Sequence, residues 1–294
     1  MVGGALAEAL HAGSHAAHRL MRPESARGKF PDPGDVAWDP ARGTFDAAAA
    51  EGADAVVHLA GASIAAGRWT GARKSLLRNS RVDATRNLVA GLARLTRKPK
   101  VMVAASAIGF YGDRGDESLT EQSAPGSDFL GMLSQQWEAE SARAEEHGIR
   151  TVMLRFGIIL SPRGGALARM LLPFKLGAGG RLGSGRQWMS WLTLDEAVGF
   201  ILHAIHAQDL RGPVNAVAPQ HVRNAEFTRT LAHVLRRPAI FPAPAFALRL
   251  ALGEMADALL LSSQRVNPER LVKAGFHFRH PDLEGGLRTV LAGP

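Results

Sequence analysis

Ser106 and Tyr111 are the hydroxyls in this 294-residue chain best placed by pattern to transfer a proton. They follow Val101–Ala105, an apolar run without charge, which is the pattern of a strand covered on both faces of a sheet. In an open parallel sheet, ligands bind beyond the carboxyl ends of the strands, so hydroxyls at that point are candidates for acid/base work on a bound substrate. Tyr111 is the sole tyrosine in the sequence. A packed turn tyrosine and a hydrogen-bonded serine are the structural alternatives. His11, His15 and His18 have metal-like spacing, but they span a helix end and a strand with no acid close by, and no metal site is read from them.

The elements that must hold these residues alternate in type. Asp54–Leu59, Val101–Ala105 and Thr151–Phe156 read as buried strands, with shorter ones at His15–Arg22 and Val36–Asp39. Gly3–Ala12, Arg73–Leu95 and Asp128–Glu146 read as helices; Leu76, Leu77, Val82, Leu88, Val89 and Leu92 lie on the apolar side of the second. Strands separated by helices predict an α/β fold, a Rossmann-type doubly wound parallel sheet. After Phe156 the texture changes. Ser161–Gly185 is rich in glycine and Gly183–Trp191 in aromatic residues. Helices at Leu194–His206 and Asn224–Leu235 flank a strand at Val214–Val217, with Asn224 as an N-cap candidate. From Phe241 the chain reads as mostly helical. The expected division is a Rossmann domain over 1–160, with a contribution from 187–235, and a smaller, mostly helical C-terminal substrate part built from 161–186 and 236–294.

Composition narrows the classes. Zero cysteines exclude disulfides, thiolate metal sites and cysteine nucleophiles together. There is no apolar run of about 18 residues, so no membrane partner is expected. The start MVGGALAEAL lacks the basic-then-apolar order of a secretory signal, and the cytoplasm is the expected location. A net charge of +8 raises the question of nucleic acid. However, 29 of the 35 basic residues are dispersed arginines rather than a basic run with interleaved aromatics, and no nucleic-acid partner is expected. A positive field of this kind suits an anionic cofactor.

The ordered motifs HLAG (His58–Gly61), SRVDATRNL (Ser80–Leu88), SAIGFYGD (Ser106–Asp113), LRFGIIL (Leu154–Leu160) and WMSWLTLDE (Trp188–Glu196) resemble an extended short-chain dehydrogenase/reductase. The resemblance narrows to the atypical, sugar-nucleotide-epimerase-like branch through RWTGARK (Arg68–Lys74), LLPFKLGAGGRLGSGRQWMSW (Leu171–Trp191), GPVNAVAP (Gly212–Pro219) and the tail from Phe246 to Leu291. It implies an NADP cofactor, with NAD the lesser alternative. Arg22, ending the second strand, stands where an acid would hold the ribose hydroxyls of NAD, and an arginine there pairs the 2′-phosphate of NADP. Leu59, Ala60 and Gly61 would approach the cofactor through their backbone, Arg81 would face it from the long helix, and Leu133 would line the nicotinamide-ribose region. Gln187, Trp188, Ser190 and Trp191 would line the substrate cleft, and Asp195 would serve as an acid or cap the following helix.

Two departures from the family pattern bear on function. The family opens with a strand and a G-x-x-G-x-x-G turn; here Gly3 aligns with the third glycine, and the strand and first two glycines are missing. The expectation is that the natural protein begins upstream of Met1, and that the sheet is left with unpaired backbone groups at its centre. The wider superfamily also uses Tyr-x-x-x-Lys for proton transfer, and Phe129 and Leu133 occupy those positions. The implied function is an NADP-binding oxidoreductase or epimerase-like enzyme of an unknown small-molecule substrate. A non-catalytic NADP(H)-binding sensor or regulatory protein is the alternative. The oligomeric state stays open, a homodimer included.

Overall fold

The computed structural model describes residues 1–22 and 35–292. In chain order the framework is helix α1 (Val2–Ala12), strands β1 (Leu20–Met21), β2 (Val36–Asp39) and β3 (Ala55–His58), helices α2 (Gly71–Arg78) and α3 (Ala84–Ala93), strand β4 (Val101–Ala107), helix α4 (Phe129–Ala142) and strand β5 (Arg150–Phe156). Helices α5 (Gly165–Lys175) and α6 (Leu194–His206), strand β6 (Gly212–Ala216), and helices α7 (Asn224–Leu235), α8 (Ala245–Leu252) and α9 (Leu283–Ala292) complete it.

A four-stranded parallel sheet of order β6–β5–β4–β3 is the centre, with Val101 opposite both Arg150 and Ala55. Alternation along β4 divides the core in two, because successive side chains of a strand point to opposite faces. Val101 and Val103 join Val152, Leu154, Phe200 and Ile201 on the face covered by α1 and α6. Met102 and Ala104 join Leu88, Leu92, Ile149 and Met153 beneath α3. The Rossmann-type α/β reading therefore holds.

Strand pairing is interrupted beside β3 among the described residues. Strands β1 and β2 pair in parallel with each other, Thr44–Phe45 adds antiparallel to β2, and this sheet is separate from the main one. Among the described residues β3 pairs with β4 alone and β1 with β2 alone. Residues Ala55, Val56 and Val57 of β3 are accordingly half-buried, whereas Val101–Ala104 of β4 are buried. The second strand is also shorter than the expected His15–Arg22.

A third core joins α5, Trp191, α7 and α9 through Leu167, Leu171, Phe174, Phe227, Leu231 and Leu287. By packing, α7 belongs with the smaller part rather than with the 187–235 contribution to the Rossmann domain. Neither proposed cap acts as one. Thr193 caps α6 by accepting from Glu196 N at 3.2 Å, and Asp195 is exposed in the first turn. Asn224 instead accepts from Leu182 N at 2.8 Å, tying down the glycine-rich loop. No helix among the described residues is long and apolar enough to cross a membrane.

One buried base makes stability sensitive to acid. His58, ending β3, shares a hydrogen bond of 2.9 Å with Thr85 Oγ1, and burial lowers its pKa from the ordinary 6.5 to about 4. The folded state holds it neutral, while the unfolded chain takes up a proton below about pH 6.5. Its stabilising contribution is therefore complete above that pH and is lost as pH falls toward about 4. Urea unfolding should show about 2 kcal/mol less stability at pH 5 than at pH 7 from this group. His58→Gln, which keeps a polar group facing Thr85, should remove that part of the pH dependence.

Candidate functional site

The carboxyl ends of β3 and β4 open onto a loop, Leu59–Thr70, that is held by cations. Arg81 Nη2 donates to Ala62 O at 3.1 Å and Nη1 to Leu77 O at 3.3 Å. Ala62 N donates to Ser80 Oγ at 3.1 Å. Ser80 and Arg81 reach that backbone because the expected continuous helix Arg73–Leu95 carries a π-helical turn over Asn79–Asp83 between α2 and α3. Such a turn inserts a residue and rotates side chains out of the α-helical register. Gly61 is needed beneath the guanidinium: a Cβ there would lie 3.1 Å from Arg81 Cζ. Burial first, and then the charge of Arg73, lower the Arg81 pKa to about 10. Arg73 donates to Ser63 O and Arg169 of α5 to Ala65 O, so three guanidinium groups hold this one loop through its carbonyls.

Several residues expected at a cofactor site gather here. A Cβ on Gly3, in the first turn of α1, would lie 4.0 Å from Leu59 Cδ1, so α1 begins beside the end of β3. No side chain among the described residues caps the first N–H groups of α1. Arg22 follows β1 directly and is exposed; the next basic residues, Arg27 and Lys29, lie outside the described residues. Leu133 is buried with Leu77 and Val82, against Ala62, Ile64, Trp69 and Phe129. The two positions that carry tyrosine and lysine in the wider superfamily are thus part of an apolar cluster. Trp69 meets the Phe129 ring edge-on at 5.1 Å, and Lys74 Nζ lies 5.0 Å from the ring centroid while pairing with Glu254 at 2.5 Å.

Ser106 and Tyr111 are also brought together, but around a buried ion pair. Arg155 grips Glu138 with two hydrogen bonds of 2.8 Å. Ser106 Oγ donates to the same carboxylate at 2.6 Å. Tyr111 accepts from Arg155 Nη1 at 2.9 Å and donates to Asn215 Oδ1 at 2.6 Å. Burial works against the Arg155 charge, yet the hydrogen-bonded Glu138 carboxylate outweighs it and holds the guanidinium pKa above its ordinary value. Burial likewise raises the Tyr111 phenol despite Arg155 beside it, so it stays protonated at neutral pH. Tyr111 is 0% and Ser106 3% exposed. Both hydroxyls are thus hydrogen-bonded to buried partners.

The expected cleft residues of the next segment are committed too. Gln187 Nε2 donates to Leu182 O and Leu260 O, and Ser190 Oγ to Gln264 O, fastening the 260–266 stretch. Trp191 is wholly buried. Trp188 is half-buried, donating to Asp116 at 2.8 Å beneath the guanidinium of Arg223.

The strand order and the open carboxyl edge define a Rossmann-type α/β protein. Residues 1–217 match the NAD dependent epimerase/dehydratase family, and residues 243–290 match a domain of unknown function, DUF1731. The chain is 41% identical over 294 residues to the epimerase family protein Mb2239 of Mycobacterium bovis, spanning 100% of this chain and 95% of that protein. The crystal structure of human epimerase family protein SDR39U1 with NADPH superposes with a TM-score of 0.89 at 31% identity, over 100% of this chain and 97% of the other. A nucleoside-diphosphate sugar epimerase from Corynebacterium glutamicum gives a TM-score of 0.77 at 35% identity, covering 98% of this chain and 56% of the other. This chain belongs to the NAD-dependent epimerase/dehydratase family.

The buried network sets a graded expectation for unfolding in urea at pH 7. Glu138→Ala leaves Arg155 charged and unpaired in the core and should cost about 3–5 kcal/mol. Tyr111→Phe removes one donor and one acceptor and should cost about 1–2 kcal/mol. A smaller loss for Glu138→Ala than for Tyr111→Phe would contradict the network as described.

Proposed function

We propose that this protein is an NADP(H)-binding enzyme, an oxidoreductase or epimerase-like catalyst acting on a small molecule. The observation that carries this reading is the cationic rim of the carboxyl edge. Arg22 stands at the end of β1 where NAD-specific sites carry an acid, and Arg81 lies across Gly61 at the end of β3 with no carboxylate partner among the described residues. Similarity to an NADPH-bound relative along the whole chain supports it. The residues present fit a dinucleotide. Uncapped N–H groups of α1 suit a pyrophosphate, small residues at Ala60 and Gly61 permit close backbone approach, and Leu133 offers an apolar wall.

When bound, the nicotinamide cofactor supplies the hydride chemistry. The protein's own part is to hold the ring against the Phe129–Leu133 wall, to exclude water there, and to keep Arg155–Glu138 rigid behind the strand ends. Ser106 and Tyr111 serve that last task. A second reading, an NADP(H)-binding sensor without turnover, is favoured by the two apolar side chains in place of tyrosine and lysine. In either case the cytoplasm is the compartment we assign.

Thermal unfolding with each nucleotide tests the reading. NADPH at a hundred times its dissociation constant should stabilise the chain by about 2.7 kcal/mol, and NADH at the same concentration should do markedly less. Arg22→Ala should bring the two nucleotides to similar affinity, while Arg81→Ala should weaken both at least tenfold. No response to either nucleotide would refute the cofactor assignment. Binding without oxidation of NADPH across carbonyl and sugar-nucleotide substrates would favour the sensor.

A further inference from the structure

Six of the large apolar side chains most open to solvent lie on two stretches of the smaller part: Leu172, Leu176, Ile240, Phe241, Phe246 and Leu250, each between 61% and 78% exposed. Leu172 and Leu176 are one turn apart at the end of α5, and Phe246 and Leu250 one turn apart on α8, so each pair forms a stripe on one helix face. A short ladder joins the chain leaving α5 to the chain entering α8, with Phe241 N donating to Gly179 O at 3.2 Å and Gly183 N to Ala243 O at 2.8 Å. Water-exposed apolar surface of this extent on a folded chain marks a binding face.

Both helices also meet the loop at the end of β3, each through a guanidinium. Arg169, three residues before Leu172 on α5, donates to Ala65 O at 3.1 Å. Arg68 lies against Gly253, the residue closing α8, where a Cβ would come 3.5 Å from Arg68 Nη2. Arg73, on the first turn of α2, donates to Ser63 O and keeps a buried Nε without a hydrogen-bond partner. Among the described residues none of these three arginines has an ion-pair partner. No aspartate or glutamate occurs between Glu146 and Asp195 or between Glu226 and Glu254, and the next two acids, Glu254 and Asp257, pair with Lys74 and Arg249.

A small polar anion would satisfy the arginines and leave the leucines and phenylalanines in water. A neutral hydrocarbon would cover the stripes and leave the guanidinium groups unpaired. One kind of ligand meets both requirements. We propose that the substrate is an amphiphilic anion, its phosphate or carboxylate head held by Arg68, Arg73 and Arg169 and its hydrocarbon chain laid along α5 and α8. This rests on the reading of the chain as an NADP(H)-binding enzyme and names the class of molecule on which it acts.

The test is isothermal titration of the full chain with dodecyl phosphate and with laurate, below their micelle concentrations, with NADPH saturating and again without it. Inorganic phosphate and the neutral dodecyl maltoside serve as the head and the chain alone. One of the two anionic amphiphiles should bind at least tenfold more tightly than either control, and the better one identifies the head group. The double variant Phe246→Ser with Leu250→Ser should weaken that binding at least tenfold and leave phosphate binding unchanged. Arg68→Ala with Arg169→Ala should weaken binding of the amphiphile and of phosphate alike. Equal binding of phosphate, equal binding of the maltoside, or competition between amphiphile and NADPH would each overturn the proposal. So would serine variants that turn a dimer into a monomer in sedimentation while the amphiphile binds as before, because the stripes would then be an interface between copies. If the amphiphile binds and NADPH does not, the cofactor reading fails while this site stands.

Discussion

A guanidinium buried inside a parallel sheet has to be surrounded by acceptors, and Arg155 is such a group. It sits near the end of β5, where water is absent and an unpaired charge would cost several kcal/mol. Glu138 answers it from α4, the Tyr111 hydroxyl from the turn after β4, and Glu121 O from the loop beyond. Through Tyr111 the network continues to Asn215 on β6, and Asn215 N in turn donates to Glu121 Oε1. Four elements distant in sequence are thereby fixed to one another behind the carboxyl edge. The strand ends on which any cofactor would rest are held rigid by this polar cluster and by the apolar layers on either side.

In front of the same edge the charge balance reverses. Arg155 has its carboxylate, whereas Arg68, Arg73, Arg81 and Arg169 lean on backbone carbonyls and on a glycine rather than on acids. Carbonyl dipoles satisfy individual N–H groups without cancelling net charge, and the pKa of Arg81 is lowered first by burial and then by the neighbouring charge of Arg73. The two sets of arginines therefore do different things. One stabilises the fold through a buried ion pair; the other is the set that the proposed anion would meet.

Much of this was legible in the residues. The apolar runs around Val101 and Val152 form the buried parallel strands expected, because uninterrupted apolar sequence has one stable place in an α/β protein. A charge inside one of those runs, the arginine of TVMLRF, was itself a signal that a buried acid must face it, and following it would have led to Glu138. Other features left no local trace. The π-helical turn at Asn79–Asp83 changes geometry without changing composition. Asn224 has the right type for a helix cap, yet a tertiary donor, Leu182 N, took its oxygen. Only Leu20–Met21 of the expected second strand forms, since a strand extends only where a neighbour accepts its hydrogen bonds. Gln187, Ser190 and Trp191 fit a cleft by type, and their burial followed from contacts with residues more than seventy positions away.

In the proposed reading, Phe129 and Leu133 separate binding a cofactor from moving a proton. The first needs glycine-permitted backbone approach, a helix N-terminus and positive charge, all of which lie at the ends of β1, β3 and β4. The second needs a titratable group at the nicotinamide, and α4 offers hydrocarbon there instead. Lys74 of α2 lies over the Phe129 ring and pairs with Glu254 from the segment that follows α8, and Asp128 caps α4 directly before Phe129. Fold alone therefore says little about which reaction is run. What distinguishes this chain is carried by the arginine-rich loop, the acid-free stretch through α5, and the C-terminal segment that closes over both.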